Sequence, residues 1–236
     1  MTCKNCQSEY AGNFCPNCGQ PAQLKRIDGH YIIHEIEHVL HFEKGILFTV
    51  RELLVNPGKN IRDFFVENRS RLVKPIIFII ITSLIYSITS HFFHIEEGYV
   101  VAKGIQKSSV TAIFAWVQQH YGYANIIMGV FIVLWLQLFF RKSGYNFFEI
   151  LILLCFVMGM GMLIFALFAF LQGLTHANLM TFAGIAGFAY CTWAIGEFFG
   201  RKPMNYFKAF WAYALGYLTF CAAAFALGNL IDLAIK

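Results

Sequence analysis

The chain has 236 residues, of which 58% are hydrophobic, 17% aromatic and only 13% charged, where an ordinary soluble domain carries about 25% charged residues. That balance argues against a soluble globular protein. The formal net charge is +5, but its distribution follows membrane topology, so nucleic acid is not an expected partner. Ten of the eighteen Lys and Arg lie in residues 1–74, before the long apolar runs begin. A membrane-spanning helix needs roughly 20 apolar residues, so the stretch after Pro75 has room for four to six of them. The N-terminus lacks the basic start, short apolar core and small-residue cleavage site of an export signal. The first hydrophobic helix is therefore expected to act as an uncleaved insertion signal.

Residues 1–22 hold Cys3, Cys6, Cys15 and Cys18, two C-x2-C pairs separated by eight residues. Two residues between cysteines let both thiolates of a knuckle face one ion, and two knuckles complete a tetrahedron. Gly12 and Gly19 suit the tight turns around such a site. All four ligands being cysteine, no position is left for water or substrate, which predicts a structural Zn2+. Iron in the same cage and a pair of disulfides are the alternatives, the latter requiring an oxidising compartment. A head of this size has too little core to fold alone, so metal binding is expected to drive its folding. Cys155, Cys191 and Cys221 lie singly in apolar runs and read as small buried hydrophobes.

Residues 30–72 read as amphipathic helices lying on the cytoplasmic face of the membrane. From His30 to Leu54, Ile33, Ile36, Leu40, Ile46, Leu47, Val50, Leu53 and Leu54 recur at helical spacing among too many charges for a span, with a break expected near Gly45. Asn56-Pro57-Gly58 signals a stop and a turn. A second short helix is expected from about Asn60 to Leu72, with Ile61, Phe64 and Phe65 on one side. Arg62, Arg69, Arg71 and Lys74 are then placed to contact lipid headgroups. His30, His34, His38 and His41 fall at steps of four, four and three, one stripe of a helix. They read either as the polar face of a surface helix or as a second metal or proton site with Glu35 and Glu37 in support. The spacing His34-Glu35 to His38 is one residue too long for the zinc-protease motif.

Five nearly uncharged runs follow, at about 75–94, 121–140, 148–171, 179–199 and 207–230. Fifteen Lys and Arg fall on one side of these spans, including Arg141, Lys142, Arg201, Lys202 and Lys208, and three on the other, Lys103, Lys107 and Lys236. The positive-inside rule then predicts five spans with the N-terminus cytoplasmic and the C-terminus external. Residues 109–119 fit either a surface helix or an outward extension of the second span. Small residues recur in the last three spans, among them Gly159, Gly161, Ala183, Gly187, Gly196, Ala212, Gly216, Ala224 and Gly228, and read chiefly as close helix packing. Glu149 and Glu197 sit near cytoplasmic span ends, within reach of neighbouring bases, and mark a candidate polar site; Asp232 lies near the external end. His91, His94, His120 and His176 read as interfacial residues on the outer side.

The order C-x2-C, Phe14-Cys15-Pro16-x-Cys18-Gly19-Gln20, a His-rich helix, Thr49, Glu52-Leu53-Leu54, Pro57-Gly58, Ile61, Phe65, Arg69, Arg71 and Pro75-x2-Phe78 resembles an uncharacterised family of bacterial zinc-ribbon membrane proteins, common in Bacteroidota, labelled as a domain of unknown function. The resemblance covers roughly residues 1–85. It implies a multi-pass protein of the bacterial inner membrane with a cytoplasmic metal-binding head, and it implies no reaction.

The expected architecture is thus an all-α membrane protein: a four-cysteine zinc ribbon, interfacial helices, then a bundle of about five transmembrane helices over 75–235. The expected role is non-enzymatic, with the head docking a cytoplasmic protein partner or organising a complex, homo-oligomers included. A small permease or channel using Glu149 and Glu197 is the alternative. A metal-dependent membrane enzyme using His30, His34 and His38 is the second; no phosphate loop, nucleotide fingerprint or serine elbow appears.

Overall fold

The computed structural model describes residues 2–3, 6–9, 11–18, 45–67, 69, 71–95 and 109–235, divided between two units, Met1–Glu43 and Lys44–Lys236. His30, His34, His38, His41 and the charged residues around them lie outside the described residues, as do Gly19, Lys103, Lys107 and Lys236. In the first unit the chain folds back on itself through a bridge between Thr2 and Glu9.

The second unit is all helix among its described residues. Two short helices, α1 (Ile46–Val55) and α2 (Pro57–Val66), precede α3 (Pro75–Phe92), α4 (Ser109–Gln119), α5 (Tyr121–Phe139), α6 (Phe147–Thr175), α7 (Met180–Phe198) and α8 (Pro203–Ile235). α6 is apolar on every side, and all nine residues from Leu153 to Gly161 are buried. A helix without a polar face has to be surrounded. α3, α5 and α7 surround it, and α1 and α2 close the remaining side at one end. α3 runs parallel to α6, from Phe78 beside Phe156 to Phe93 beside Phe170. α7 runs antiparallel to it, with Cys191 near Gly161 and Gly187 near Phe165. α8 packs antiparallel to both α7 and α5, completing the bundle.

Two of these approaches are set by glycine. A Cβ on Gly216 of α8 would lie 2.6 Å from the Ile132 Cα of α5, and one on Gly159 of α6 would lie 2.7 Å from the Phe78 ring of α3. Gly184 of α7, by contrast, has nothing within 4 Å of where its Cβ would be.

Four helices are long and apolar enough to cross a membrane: α3, α5, α6 and α8. α7 has the same nineteen residues as α5 but is not among them, its run including Glu197 and several Gly and Thr. It packs against α6, α8 and α2 and keeps Phe182 and Ile185 on its exposed side. The bundle's outward side chains are large and apolar, including Ile76, Leu84 and Ile88 on α3 and Leu218, Leu227 and Leu230 on α8. A soluble monomer does not carry hydrophobic surface on that scale.

The short helices differ from the sequence expectation. α1 does begin directly after Gly45, whose φ of +64° turns the chain into it. α2 starts at Pro57 rather than Asn60 and ends at Val66 rather than Leu72. The turn is confined to Asn56, and Pro57 is the first helical residue, where its fixed φ and missing N–H are harmless. Neither helix is peripheral. Thr49 and Leu53 of α1 and Pro57, Gly58, Asn60, Ile61 and Phe64 of α2 are buried. The Phe64 ring meets Phe156 at 5.3 Å, nine residues into α6 and so about 14 Å along its axis.

Residues 109–119 form a helix of their own, none of its residues buried, that extends the second span outward after a break. α4 runs antiparallel along the last third of α8, with Val110 against Gly228 and the Ser109 amide donating to Asp232 Oδ1 at 2.9 Å. His120, with φ −131° and ψ 47°, separates it from α5. α4 and α5 together therefore pair with most of the length of α8, as one helix broken at His120.

Replacing Gly216 by Leu is expected to lower thermal stability in detergent strongly, by about 2–3 kcal/mol for an overpacked contact against backbone. Gly184→Ala should melt with the wild type. Equal melting of the two variants would contradict the close α5–α8 approach.

Candidate functional site

Among its described residues the first unit holds one group of metal-ligating type. The sulfurs of Cys3, Cys6, Cys15 and Cys18 all lie within 4.8 Å of one another, with Cys3 and Cys15 buried. Cys3 and Cys18 are 3.6 Å apart, as are Cys6 and Cys15. Four thiolates bound tetrahedrally at about 2.3 Å would stand about 3.8 Å from each other. The cluster therefore fits one metal ion, and none of the seven cysteines is in a disulfide. Local geometry explains how the first knuckle forms. The Gln7 amide donates to the Cys3 carbonyl and the Cys3 amide to the Ser8 carbonyl, both at 3.0 Å, with Gln7 at φ +60° and Gly12 at φ +126° making the turns.

No feature of the residue pattern signals the part played by Ser8. Its hydroxyl lies 3.0 Å from Cys6 Sγ and 3.2 Å from Cys15 Sγ, bridging the two knuckles. Hydrogen bonding from the Ser8 side chain and backbone brings the Cys6 thiol down to about 6, and the Ser8 hydroxyl also lowers Cys15. Thiolates are the metal-binding form, so Ser8 prepares the site for an ion near neutral pH.

In the second unit the polar residues converge where α1 and α2 meet the end of α7. Arg62 of α2 donates at 2.7 Å to the carbonyls of Glu197 and Phe198, which the last turn of a helix leaves without intrahelical partners. A cation there also opposes the negative end of the helix dipole. Gly58 lies against the Glu197 backbone so closely that a Cβ would stand 2.6 Å from its carbonyl oxygen. Glu197, 6% exposed, pairs with Arg201 at 3.0 Å, and Arg201 also donates to Asn56 Oδ1 at 2.5 Å. Deeper in, the Tyr190 hydroxyl donates to the Leu53 carbonyl at 2.9 Å. Asn60 donates to the carbonyls of Glu52 and Asn56 and so closes the hairpin.

The residues marked from sequence thus fall into several places. Of the four placed against lipid headgroups, Arg62 is taken by α7, and Arg71 pairs with Glu52 at 2.6 Å and Asp63 at 3.7 Å. Arg69 and Lys74 are exposed. Glu149 forms a capping box with Asn146 at the start of α6, while Glu197 belongs to the hairpin contact; each carboxylate has its own structural partner. His176 ends α6 in a left-handed conformation and His120 stacks on Trp116. Among the described residues, only the four N-terminal cysteines form a metal-ligating group.

Residues 43–87 match a family described as a protein of unknown function (DUF3667). The matched stretch contains α1, α2 and most of α3, and with them Asn56, Gly58, Arg62 and Arg71. No curated protein and no solved structure matches the chain.

Arg62→Ala should destabilise the hairpin by about 2 kcal/mol, the scale of hydrogen bonds to a charged group. Faster proteolysis within residues 45–72 would report it, with Arg62→Lys intermediate because an ammonium cannot fork to two carbonyls. In the head, the lowered Cys6 thiol keeps the metal-binding thiolate above pH 6 and loses it as pH falls through about 6. Ser8→Ala is expected to move the pH of half-maximal metal release upward, measured with a chromogenic chelator. An unchanged release curve would remove Ser8 from the site.

Proposed function

We propose that this is a non-enzymatic integral protein of the bacterial inner membrane. It crosses the membrane five times, through α3, the broken α4–α5 pair, α6, α7 and α8, with the end bearing Arg141 and Arg201 in the cytoplasm. Its head holds structural zinc and docks a cytoplasmic partner or organises a membrane complex. The observation that carries the reading is the four-cysteine cluster, which leaves no ligand position for water or substrate. Supporting it, the bundle alternates in direction, its exterior is apolar, and fifteen of eighteen Lys and Arg fall on one side of the five segments. A four-thiolate set suits zinc or iron, and zinc is the ion we assign to a purely structural site. The permease reading required Glu149 and Glu197, and both have structural partners.

Purified protein is expected to carry one equivalent of zinc in the wild type and in a His34→Ala, His38→Ala variant, and none after Cys15→Ser with Cys18→Ser. Two equivalents in the wild type would place a second metal at the histidines. Cross-linked partners recovered from membranes should disappear with the cysteine variant; recovery of the same set would end the docking role. Reporter fusions at residue 142 and at the C-terminus should report opposite sides of the membrane.

A further inference from the structure

The α4–α5 pair along α8 is broken at His120, an exposed residue whose amide donates to the Val117 carbonyl at 3.3 Å and whose carbonyl accepts from the Ala124 amide at 2.9 Å. The break stands level with Tyr86 of α3, whose ring meets Tyr121 at 5.0 Å, while α6 and α8 continue well past it. Beside it lies a cavity of about 470 Å3 enclosed by α3 to α8, within the range of small-molecule sites. Ala124 on α5 and Gly184 on α7, the latter with nothing within 4 Å of where its Cβ would be, leave space in the wall.

None of the nineteen residues lining this cavity is charged, so a charged ligand would enter uncompensated. The lining is not simply greasy either. Asn125 is buried, and its amide nitrogen lies 3.4 Å from Ser83 Oγ, its donor role there leaving the carbonyl side of the amide. Tyr213 and Tyr217 of α8 add phenol groups that hydrogen-bond with the thiols of Cys191 and Cys221, weak partners that a carbonyl oxygen can replace, Tyr217 half-exposed at the rim. Phenol donors among phenylalanine rings match a flat ring bearing hydrogen-bond acceptors. The cavity also shares Val117, Ala124 and Phe220 with an apolar groove of about 550 Å3 between α4, α5 and α8. That groove offers a hydrocarbon chain a route along the bundle.

We propose that the cavity beside the α4–α5 break binds an uncharged, membrane-soluble ring compound carrying carbonyl oxygens, with its hydrocarbon tail in the adjoining groove. This is the chemical class of the membrane quinones. The ring sits among the aromatic side chains, and Tyr213 and Tyr217 donate to its carbonyls.

The test is retention of a tritiated decyl-benzoquinone by the full chain in lipid nanodiscs, with empty nanodiscs subtracted. Saturable binding near one per chain is expected, displaced by unlabelled quinone at least tenfold better than by decylbenzene, which has the tail and ring but no carbonyls. Gly184→Leu fills the cavity from a position with free space around its Cβ and should weaken binding more than tenfold. Tyr213→Phe with Tyr217→Phe, which keeps both rings, should weaken it about tenfold. Retention no greater than in empty discs, equal displacement by decylbenzene, or unchanged affinity in both variants would each overturn the assignment. Equal displacement would identify a hydrocarbon-chain site instead.

Discussion

The second unit is organised around a helix with no polar side. Burial of every residue from Leu153 to Gly161 requires neighbours all round α6, and three longer helices cannot close the circle at its first turns. The hairpin of α1 and α2 fills that gap, with Phe64 against Phe156 and Leu53 fully buried beneath Tyr190. The described part of the segment that the sequence reads as interfacial helices thus packs against the bundle. Its remaining apolar residues, Leu47, Leu54 and Val55, face outward.

Two kinds of contact hold this arrangement together. The long helices meet by shape, glycine against backbone or ring at Gly159 and Gly216. In lipid, where apolar surface gains little by leaving its surroundings, such packing is the available source of association. The hairpin is held by polar contacts at its hinge: Arg62 on the end of α7, Arg201 between Glu197 and Asn56, and Arg71 between Glu52 and Asp63. Each arginine satisfies groups that would otherwise be costly beside an apolar bundle. Close approach at Gly58 brings Arg62 within reach of the carbonyls, so the glycine and the arginine act together.

The α4–α5 break is the counterpart of this tight packing. Beyond the stop at His120, Tyr121, Ala124 and Asn125 of α5 line a cavity that Gly184 of α7, with nothing within 4 Å of where its Cβ would be, helps to keep open. One end of the bundle is thus closed by the hairpin, while its middle keeps a space with hydrogen-bonding groups along the wall.

Much of the architecture was legible in the residue pattern. Apolar runs at least about as long as a bilayer requires identify helices α3, α5, α6 and α8, because hydrocarbon leaves a backbone no other means of satisfying itself. The C-x2-C pairs identify the metal cluster, because thiolate spacing follows from local chain geometry alone. The sequence reads α7 as a span, and its Gly, Thr and Glu197 leave it outside the four long apolar helices although Phe182 and Ile185 are exposed. Which face of α1 turns inward was hidden, since Leu47 and Leu53 are equally apolar and only the position of α6 and α7 distinguishes them. The partners of Arg62 lie more than 130 residues away, and Ser8 reaches both knuckles only after the head has closed. Local chemistry determined the helices and the ligands; long-range juxtaposition decided what the charges bind, where the helix breaks and where the cavity lies, because those depend on atoms that only folding brings together.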